Sequence, residues 1–114
     1  MMKLEPGNIV LVSFPFSDLQ SSKVRPALVL AVKGADVIIL GIFSKVPEYI
    51  RDSWIIIDEL HPAFKQSGLK KTSAIKTEKI AVIHQSLTRK KLGDIPPELL
   101  HQVKQTLRRT LEIE

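Results

Sequence analysis

The stretch VRPALVLAVKGADVIILGIF, residues 24–43, decides the fold. It holds two apolar runs rich in β-branched residues, VRPALVLAV and DVIILGIF, joined by the short connection KGAD. This connection leaves no room for a crossover helix, so the two runs are predicted to pair as antiparallel strands. Because nearly every position in both runs is apolar, the strands are expected to be buried on both faces.

Four further runs outside this hairpin are predicted to be strands of the same kind. Strands that are buried on both faces without covering helices are typical of a small closed barrel. The sequence therefore predicts an antiparallel barrel completed by NIVLVSF (residues 8–14), SWIIID (53–58), KTSAIK (71–76) and KIAVIHQ (79–85).

Two helical segments are also indicated. A short turn is expected within DELHPAFKQSG, ended by Gly68. Near the C-terminus, Asp94 is a candidate cap, and the two prolines that follow suit a first helical turn. The apolar residues beyond them recur every four positions, which predicts an amphipathic helix lying on the barrel through Leu99, Val103, Leu107 and Leu111.

Length and composition limit the class of protein. The chain has 114 residues, 44% of them hydrophobic, which predicts one domain over residues 1–114. It has no cysteine, no signal peptide and no apolar run of membrane-spanning length, so a cytoplasmic protein is expected. The three histidines are scattered without metal-binding spacing, so neither a metal site nor another cofactor is expected.

The charge is positive and unevenly distributed. The net charge is +5, and the segment from Lys70 to Lys91 holds seven basic residues against one acid, Glu78. Such a segment is typical of a surface that faces a polyanion such as nucleic acid. The alternative is a solvated basic face without a partner.

Arg25 is the residue best suited to chemistry. Pro26 after it forces an extended backbone, so the guanidinium stands at the end of a stiff strand. A guanidinium held in this way is able to grip a phosphate with two parallel hydrogen bonds. A salt bridge to Asp18 or Glu78 is the alternative reading.

Three stretches together resemble the MazF/PemK family of toxin endoribonucleases: PGNIVLVSFPFSDLQSSKVRPALVLAV (residues 6–32), DVIILGIFSKVPE (36–48) and SGLKKTSAIKTEKIAVI (67–83). They follow the family's order of motifs over nearly the whole chain. The resemblance implies an SH3-like barrel of the MazF/Kid/CcdB type with a C-terminal helix, a mainly β fold of the α+β class. It also implies a homodimer and a small acidic antitoxin as protein partner.

The resemblance further implies a metal-independent, sequence-specific endoribonuclease that cleaves single-stranded RNA such as mRNA. The 2′-hydroxyl would attack its own phosphorus, giving a 2′,3′-cyclic phosphate and a 5′-hydroxyl. Arg25 falls on the family's arginine at the scissile phosphate, and Glu78 is a candidate base. The residues expected to contact RNA are Lys23, Lys45, Lys70, Lys71, Ser73 and Lys76.

One position departs from the family pattern. Phe43 stands where the family has a threonine, so the hydroxyl near the phosphate is missing. Ser44 is the candidate replacement if a bulge or an altered strand end turns it inward. Regular alternation opposes this, because neighbours on a strand face opposite sides. Phe43 itself is a candidate for stacking on a base.

Two other functions follow from the same residues. The first is a catalytically weakened or inactive homologue that binds RNA or an antitoxin. The second is a gyrase-poisoning toxin like CcdB, which shares this barrel. The basic segment and Arg25 favour RNA over gyrase, because a protein that poisons through protein contacts does not need them.

Overall fold

The part of the chain that the structure describes forms one antiparallel sheet and two α-helices. The computed structural model describes residues 2–13 and 24–114. The elements in chain order are β1 (Asn8–Ser13), β2 (Val24–Lys33), β3 (Asp36–Phe43), β4 (Trp54–Ile57), α1 (Phe64–Ser67), β5 (Ser73–His84), β6 (Thr88–Asp94) and α2 (Pro97–Thr110). The predicted mainly β architecture with a C-terminal helix is confirmed.

The strands are arranged in the order β4-β5-β3-β2-β1-β6, and each neighbouring pair is antiparallel. The predicted β2–β3 hairpin is therefore confirmed, with Lys33 paired to Asp36 and Gly34 in the left-handed region at φ +62°. The prediction of a closed barrel is wrong in one respect. Within residues 2–13 and 24–114 no ladder joins β4 to β6, because the chain after β4 turns into α1, which packs against β6.

The central strands are buried on both faces, as predicted. Ile9 and Leu28 belong to one apolar cluster, which packs against Leu99 and Val103 of α2. Because successive side chains on a strand point to opposite faces, their neighbours belong to a second cluster. That second cluster consists of Val10, Val12, Ala27, Val29, Val37, Ile39 and Ile83.

The strand β5 is continuous, so the prediction of two strands at residues 71–76 and 79–85 is wrong. Its ladder with β3 is nevertheless interrupted between those segments. Ile42 pairs with Ile75 and Leu40 pairs with Ile80, so residues 76–79 of β5 lie opposite the single residue Gly41. A bulge of this kind releases side chains from strict alternation and re-aims them.

The strand β6, with the sequence TRKKLGD, was not predicted from the sequence. It pairs only with β1 among the described strands, and its three consecutive cations are exposed. Charged residues are tolerated there because an edge strand has one side in water.

The C-terminal helix begins as the prolines indicate but without the predicted cap. Pro96 occupies the N-cap position and makes no side-chain cap bond. Asp94 instead accepts a hydrogen bond from the Gln66 side-chain amide at 2.6 Å. The prediction that Asp94 caps α2 is therefore wrong, since its carboxylate joins β6 to α1.

Two glycines allow α1 and β6 to approach closely. Gly68 ends α1 at φ +74°, as predicted, and a Cβ there would overlap the carbonyl oxygen of Leu92. A Cβ on Gly93 would overlap the carbonyl oxygen of Gln66. The backbones of the two elements are thus in direct contact, which fixes the loop after α1 beside β6.

Candidate functional site

Two clefts meet at Ser44, just beyond the end of β3. The smaller one, here called the Arg25 cleft, has a volume of about 230 Å³ and is lined by Arg25, Phe43, Ser44 and Lys45. The larger one, here called the lysine cleft, has a volume of about 350 Å³. Its lining consists of Leu11, Pro26, Ser44, Gly68, Leu69, Lys70, Lys71, Ser73, Lys90 and Leu92.

Arg25 is half-buried at the start of β2, where it pairs with Val12 of β1. Of the two alternative salt bridges, Asp18 lies outside the described residues. The Glu78 carboxylate pairs with Arg51 instead. In the part of the chain that the structure describes, Arg25 has no ion-pair partner. Arg25 lines the Arg25 cleft, where a guanidinium is able to donate to an anionic ligand.

Ser44 lies in the Arg25 cleft together with its neighbour Phe43. The strand β3 ends at Phe43, and Ser44 falls in the bend that follows. Alternation therefore stops between the two residues, which allows both side chains to line the same cleft. The replacement of the family's threonine by Ser44 stays a prediction.

Most of the candidate RNA-binding residues gather around the two clefts. Lys45 lines the Arg25 cleft, and Lys70, Lys71 and Ser73 line the lysine cleft. Ser73 is buried, and its hydroxyl donates to the Lys71 carbonyl oxygen at 2.8 Å, which shapes the loop. Lys23 lies outside the described residues.

Lys90 was missed by the sequence reasoning although it lines the lysine cleft. The signal was the run of cations in TRKK, which reads as a solvated surface unless β6 is recognised as a strand. The pairing of β6 with β1 places Lys90 opposite Leu11, and both line this cleft.

Lys76 lines neither cleft. Its ammonium nitrogen lies 4.6 Å from the centroid of the Phe43 ring and 4.3 Å from that of Trp54. Both distances are within the range of cation–π attraction. Trp54, which the sequence reasoning did not single out, therefore helps to hold this lysine beside the Arg25 cleft.

Glu78 also lines neither cleft, and its carboxylate is occupied. It accepts hydrogen bonds from the Trp54 indole at 2.8 Å, the Ser53 hydroxyl at 2.9 Å and the Arg51 guanidinium at 3.0 Å. Burial by itself would raise the pKa of Glu78. The bonds from Trp54, its own backbone, Ser53 and Arg51 outweigh burial and hold the pKa below its ordinary value.

Within residues 2–13 and 24–114, no group of three or more histidine, aspartate or glutamate side chains is placed to hold a metal ion. Neither described helix is long and apolar enough to cross a membrane.

The arrangement defines a small mainly β protein with a cationic site formed by one arginine and several lysines around two joined clefts. A family model described as "PemK-like, MazF-like toxin of type II toxin-antitoxin system" matches residues 5–111. The chain therefore belongs to this family of toxins. No curated protein sequence matches it.

Solved structures of the same fold cover nearly the whole chain. The Mycobacterium tuberculosis toxin MazF-mt6 aligns with a TM-score of 0.73 and 13% identity, over 94% of this chain and 98% of that one. An endoribonuclease in complex with its cognate antitoxin, from a mycobacterial species, has a TM-score of 0.73 and 14% identity, with 98% of each chain covered. MazF in a MazE-MazF structure from Deinococcus radiodurans has a TM-score of 0.73 and 17% identity, with both chains fully covered.

Proposed function

We propose that this toxin cleaves single-stranded RNA at a short sequence and needs no metal ion to do so. The observation that carries the proposal is Arg25, which lines a cleft together with Ser44 and has no ion-pair partner among the described residues. Membership of the toxin family and the description of one structural relative as an endoribonuclease support the same activity.

The chemistry uses a nucleophile that the RNA itself supplies. The 2′-hydroxyl gives up its proton to solvent water as its oxygen attacks the adjacent phosphorus, the bond from phosphorus to the 5′-oxygen breaks, and that oxygen takes up a proton from solvent water. The products are a 2′,3′-cyclic phosphate and a 5′-hydroxyl. Arg25 stabilises the negative charge that develops on the phosphoryl oxygens, and Ser44 donates a hydrogen bond to the same group.

The lysine cleft is suited to hold the RNA next to the reacting phosphate. Its floor is apolar, because it includes Leu11, Pro26, Leu69 and Leu92. Its rim carries the exposed cations Lys70, Lys71 and Lys90. An apolar surface receives bases while lysines follow the phosphates, which is the pattern of single-strand binding.

Cleavage of a mixed-sequence RNA in EDTA tests this function. Arg25→Ala should lower the rate by about two to three orders of magnitude, because a preorganised donor is lost. Arg25→Lys should recover part of the rate, since an ammonium does not reproduce the planar fork. The matched control is Arg108→Ala, at an exposed arginine of α2, which should cleave as wild type does.

Two further variants decide how the missing threonine is replaced. If Ser44 supplies the hydroxyl, Ser44→Ala should be nearly as damaging as Arg25→Ala. If nothing replaces it, Ser44→Ala should have no effect and Phe43→Thr should raise the rate. If the wild-type protein and Arg25→Ala both leave the RNA intact, the proposed nuclease activity is contradicted. A homologue that only binds RNA or an antitoxin is then favoured. Phe43 at the family's threonine position is the observation behind that second function.

Two protein contacts complete the proposal. The net charge of +5 fits a small acidic antitoxin that covers the clefts and excludes RNA. The MazE-MazF structures of two relatives support a protein partner. The toxin itself is proposed to be a homodimer. Light scattering at micromolar concentration measures this, and a monomer under those conditions contradicts it.

A further inference from the structure

A continuous set of contacts runs from the Arg25 cleft to the start of β4. Phe43 lines the cleft, the Lys76 ammonium lies between the Phe43 and Trp54 rings, and the Arg51 guanidinium lies 5.7 Å from the Trp54 centroid. We call these four side chains, Arg51, Trp54, Lys76 and Phe43, the aromatic–cation stack. Cations and rings alternate in it, so each cation has a ring as neighbour.

Glu78 fixes this stack from one end. Its carboxylate accepts from the Trp54 indole and from Arg51, so it holds one ring and one cation of the stack. The Ser53 hydroxyl also donates to it and limits its rotation. Lys76 pairs with Trp54 in the β4–β5 ladder, and Glu78 lies two residues further along β5, so both side chains reach the same tryptophan.

The same contacts make Glu78 a poor proton acceptor. A carboxylate offers about four lone-pair sites, and three side-chain donors already use this one. A pKa below the ordinary value also weakens the group as a base near neutral pH. The general base expected from the sequence would have to break these bonds to act.

We propose that Glu78 and Trp54 are positioning residues that hold the Lys76 ammonium beside the Arg25 cleft as a second cation for the RNA backbone. The inference rests on the proposed function, and it replaces the role of base that the sequence suggested for Glu78. The ligand that Lys76 contacts is a phosphodiester group next to the one at Arg25. Holding the ammonium in advance lowers the entropy that binding would otherwise have to remove from a long side chain.

Glu78→Gln and Glu78→Ala separate the two roles. Glutamine cannot take up the proton. Its one acceptor oxygen can still accept from the Trp54 indole, and its amide nitrogen then faces the Ser53 hydroxyl, which can turn to accept. Positioning therefore predicts that Glu78→Gln loses less than about tenfold in kcat/KM and keeps both limbs of the pH profile. Glu78→Ala should lose more, mainly through a higher KM. Loss of a general base would instead lower kcat by about 10²–10⁴ in both variants.

A binding measurement makes the test independent of cleavage. Trp54 is the only tryptophan of the chain, so its fluorescence reports directly on the stack. A short RNA with 2′-O-methyl groups cannot react, and its titration gives an affinity for each variant. Glu78→Ala should shift the Trp54 emission and weaken binding, whereas Glu78→Gln should do so less. The matched control is Glu98→Gln, at an exposed carboxylate of α2, which should leave emission and affinity unchanged.

The outcomes distinguish this inference from the proposed function. Suppose that the wild-type protein cleaves RNA, that Glu78→Gln loses as much activity as Glu78→Ala, and that Glu78→Gln also loses one limb of the pH profile. This result overturns the inference and leaves the proposed function intact. Unchanged emission and affinity in Glu78→Ala also overturn it. If the wild-type protein binds the 2′-O-methyl RNA but does not cleave RNA, the proposed nuclease activity is contradicted. The effect of Glu78→Ala on binding then decides the positioning role. Wild type that neither binds nor cleaves overturns both.

Discussion

Substitution of Gly93 by alanine should strongly destabilise the fold by forcing α1 away from β6. A Cβ at this position would lie 2.6 Å from the Ser67 carbonyl carbon and 2.7 Å from its oxygen, and would overlap the Gln66 carbonyl oxygen. Ordinary contact begins near 3.5 Å, so the two elements must separate by about 1 Å. The three atoms nearest to the new methyl group all belong to backbone, so side-chain rotation does not relieve the overlap with them.

The expected loss follows from that geometry. Overpacking of a core by a methyl group usually costs about 1–3 kcal/mol when side chains can shift. Because only movement of α1 gives room here, the free energy of unfolding should fall by about 3 kcal/mol or more. That is a large part of the roughly 5–15 kcal/mol that stabilises a typical small domain.

Equilibrium urea unfolding, followed by far-UV circular dichroism, measures this loss. The matched control is Gly34→Ala in the β2–β3 turn, where φ is +62° and no atom lies within 4 Å of the added methyl. That variant should lose only about 1–2 kcal/mol from backbone strain. The reasoning is refuted if Gly93→Ala loses less than Gly34→Ala. If Gly34→Ala folds and Gly93→Ala is recovered only in unfolded form, the result agrees with the predicted destabilisation.

Three further results are expected. The pKa of Glu78 lies below its ordinary value of 4.5 in the folded chain, so its stabilisation is present above that pH and is lost as the pH falls through the lowered value. The thermal unfolding midpoint of the wild-type protein should therefore decline below about pH 4.5, and that of Glu78→Gln should decline less. An equal decline in both proteins would contradict this. In a KCl titration, Lys90→Ala should reduce the slope of log affinity for RNA against log salt by about 0.7, whereas substitution of the exposed Lys104 by alanine should not. Equal slopes for Lys90→Ala and wild type would show that Lys90 does not contact an RNA phosphate. Thr77→Val should lower the free energy of unfolding by about 1–3 kcal/mol, because the buried hydroxyl donates to the Ser53 carbonyl oxygen at 2.7 Å. Chemical denaturation measures it, and an unchanged midpoint would show that this bond adds nothing.

The central strands were predictable because burial on both faces requires apolar residues at successive positions, and such runs are recognisable in the sequence. Strands β1, β2 and β3 are apolar at nearly every position, and the short KGAD connection permits only antiparallel pairing. The edge strand β6 left no such mark, because its exposed side tolerates the run of cations in TRKKLGD. Its contact with α1 depends on the close approach of the two backbones at Gly68 and Gly93. The sequence does not show that these two glycines lie at the same contact.

The site was predictable to the extent that its residues follow strand ends. Arg25 is the second residue of β2 and Ser44 follows β3, and these adjacent strands bring them to one cleft. Lys76 and Glu78 were expected in separate roles, and the sequence does not show that both contact Trp54, because that contact depends on the register of β5 against β4. The four-to-one mismatch at Gly41 is a property of two distant segments, so no local pattern reports it.

The pairing of β1 with β6 has a consequence for the synthesis of this toxin. One edge of the first strand stays open until a strand that starts 75 residues after its end has been made. At ribosomal speeds of about 5–20 residues per second, that interval is roughly 4–15 s. The lysine cleft needs Leu11 from the first strand and Lys90 and Leu92 from the last. A nascent chain therefore cannot assemble the lysine cleft before β6 has been made.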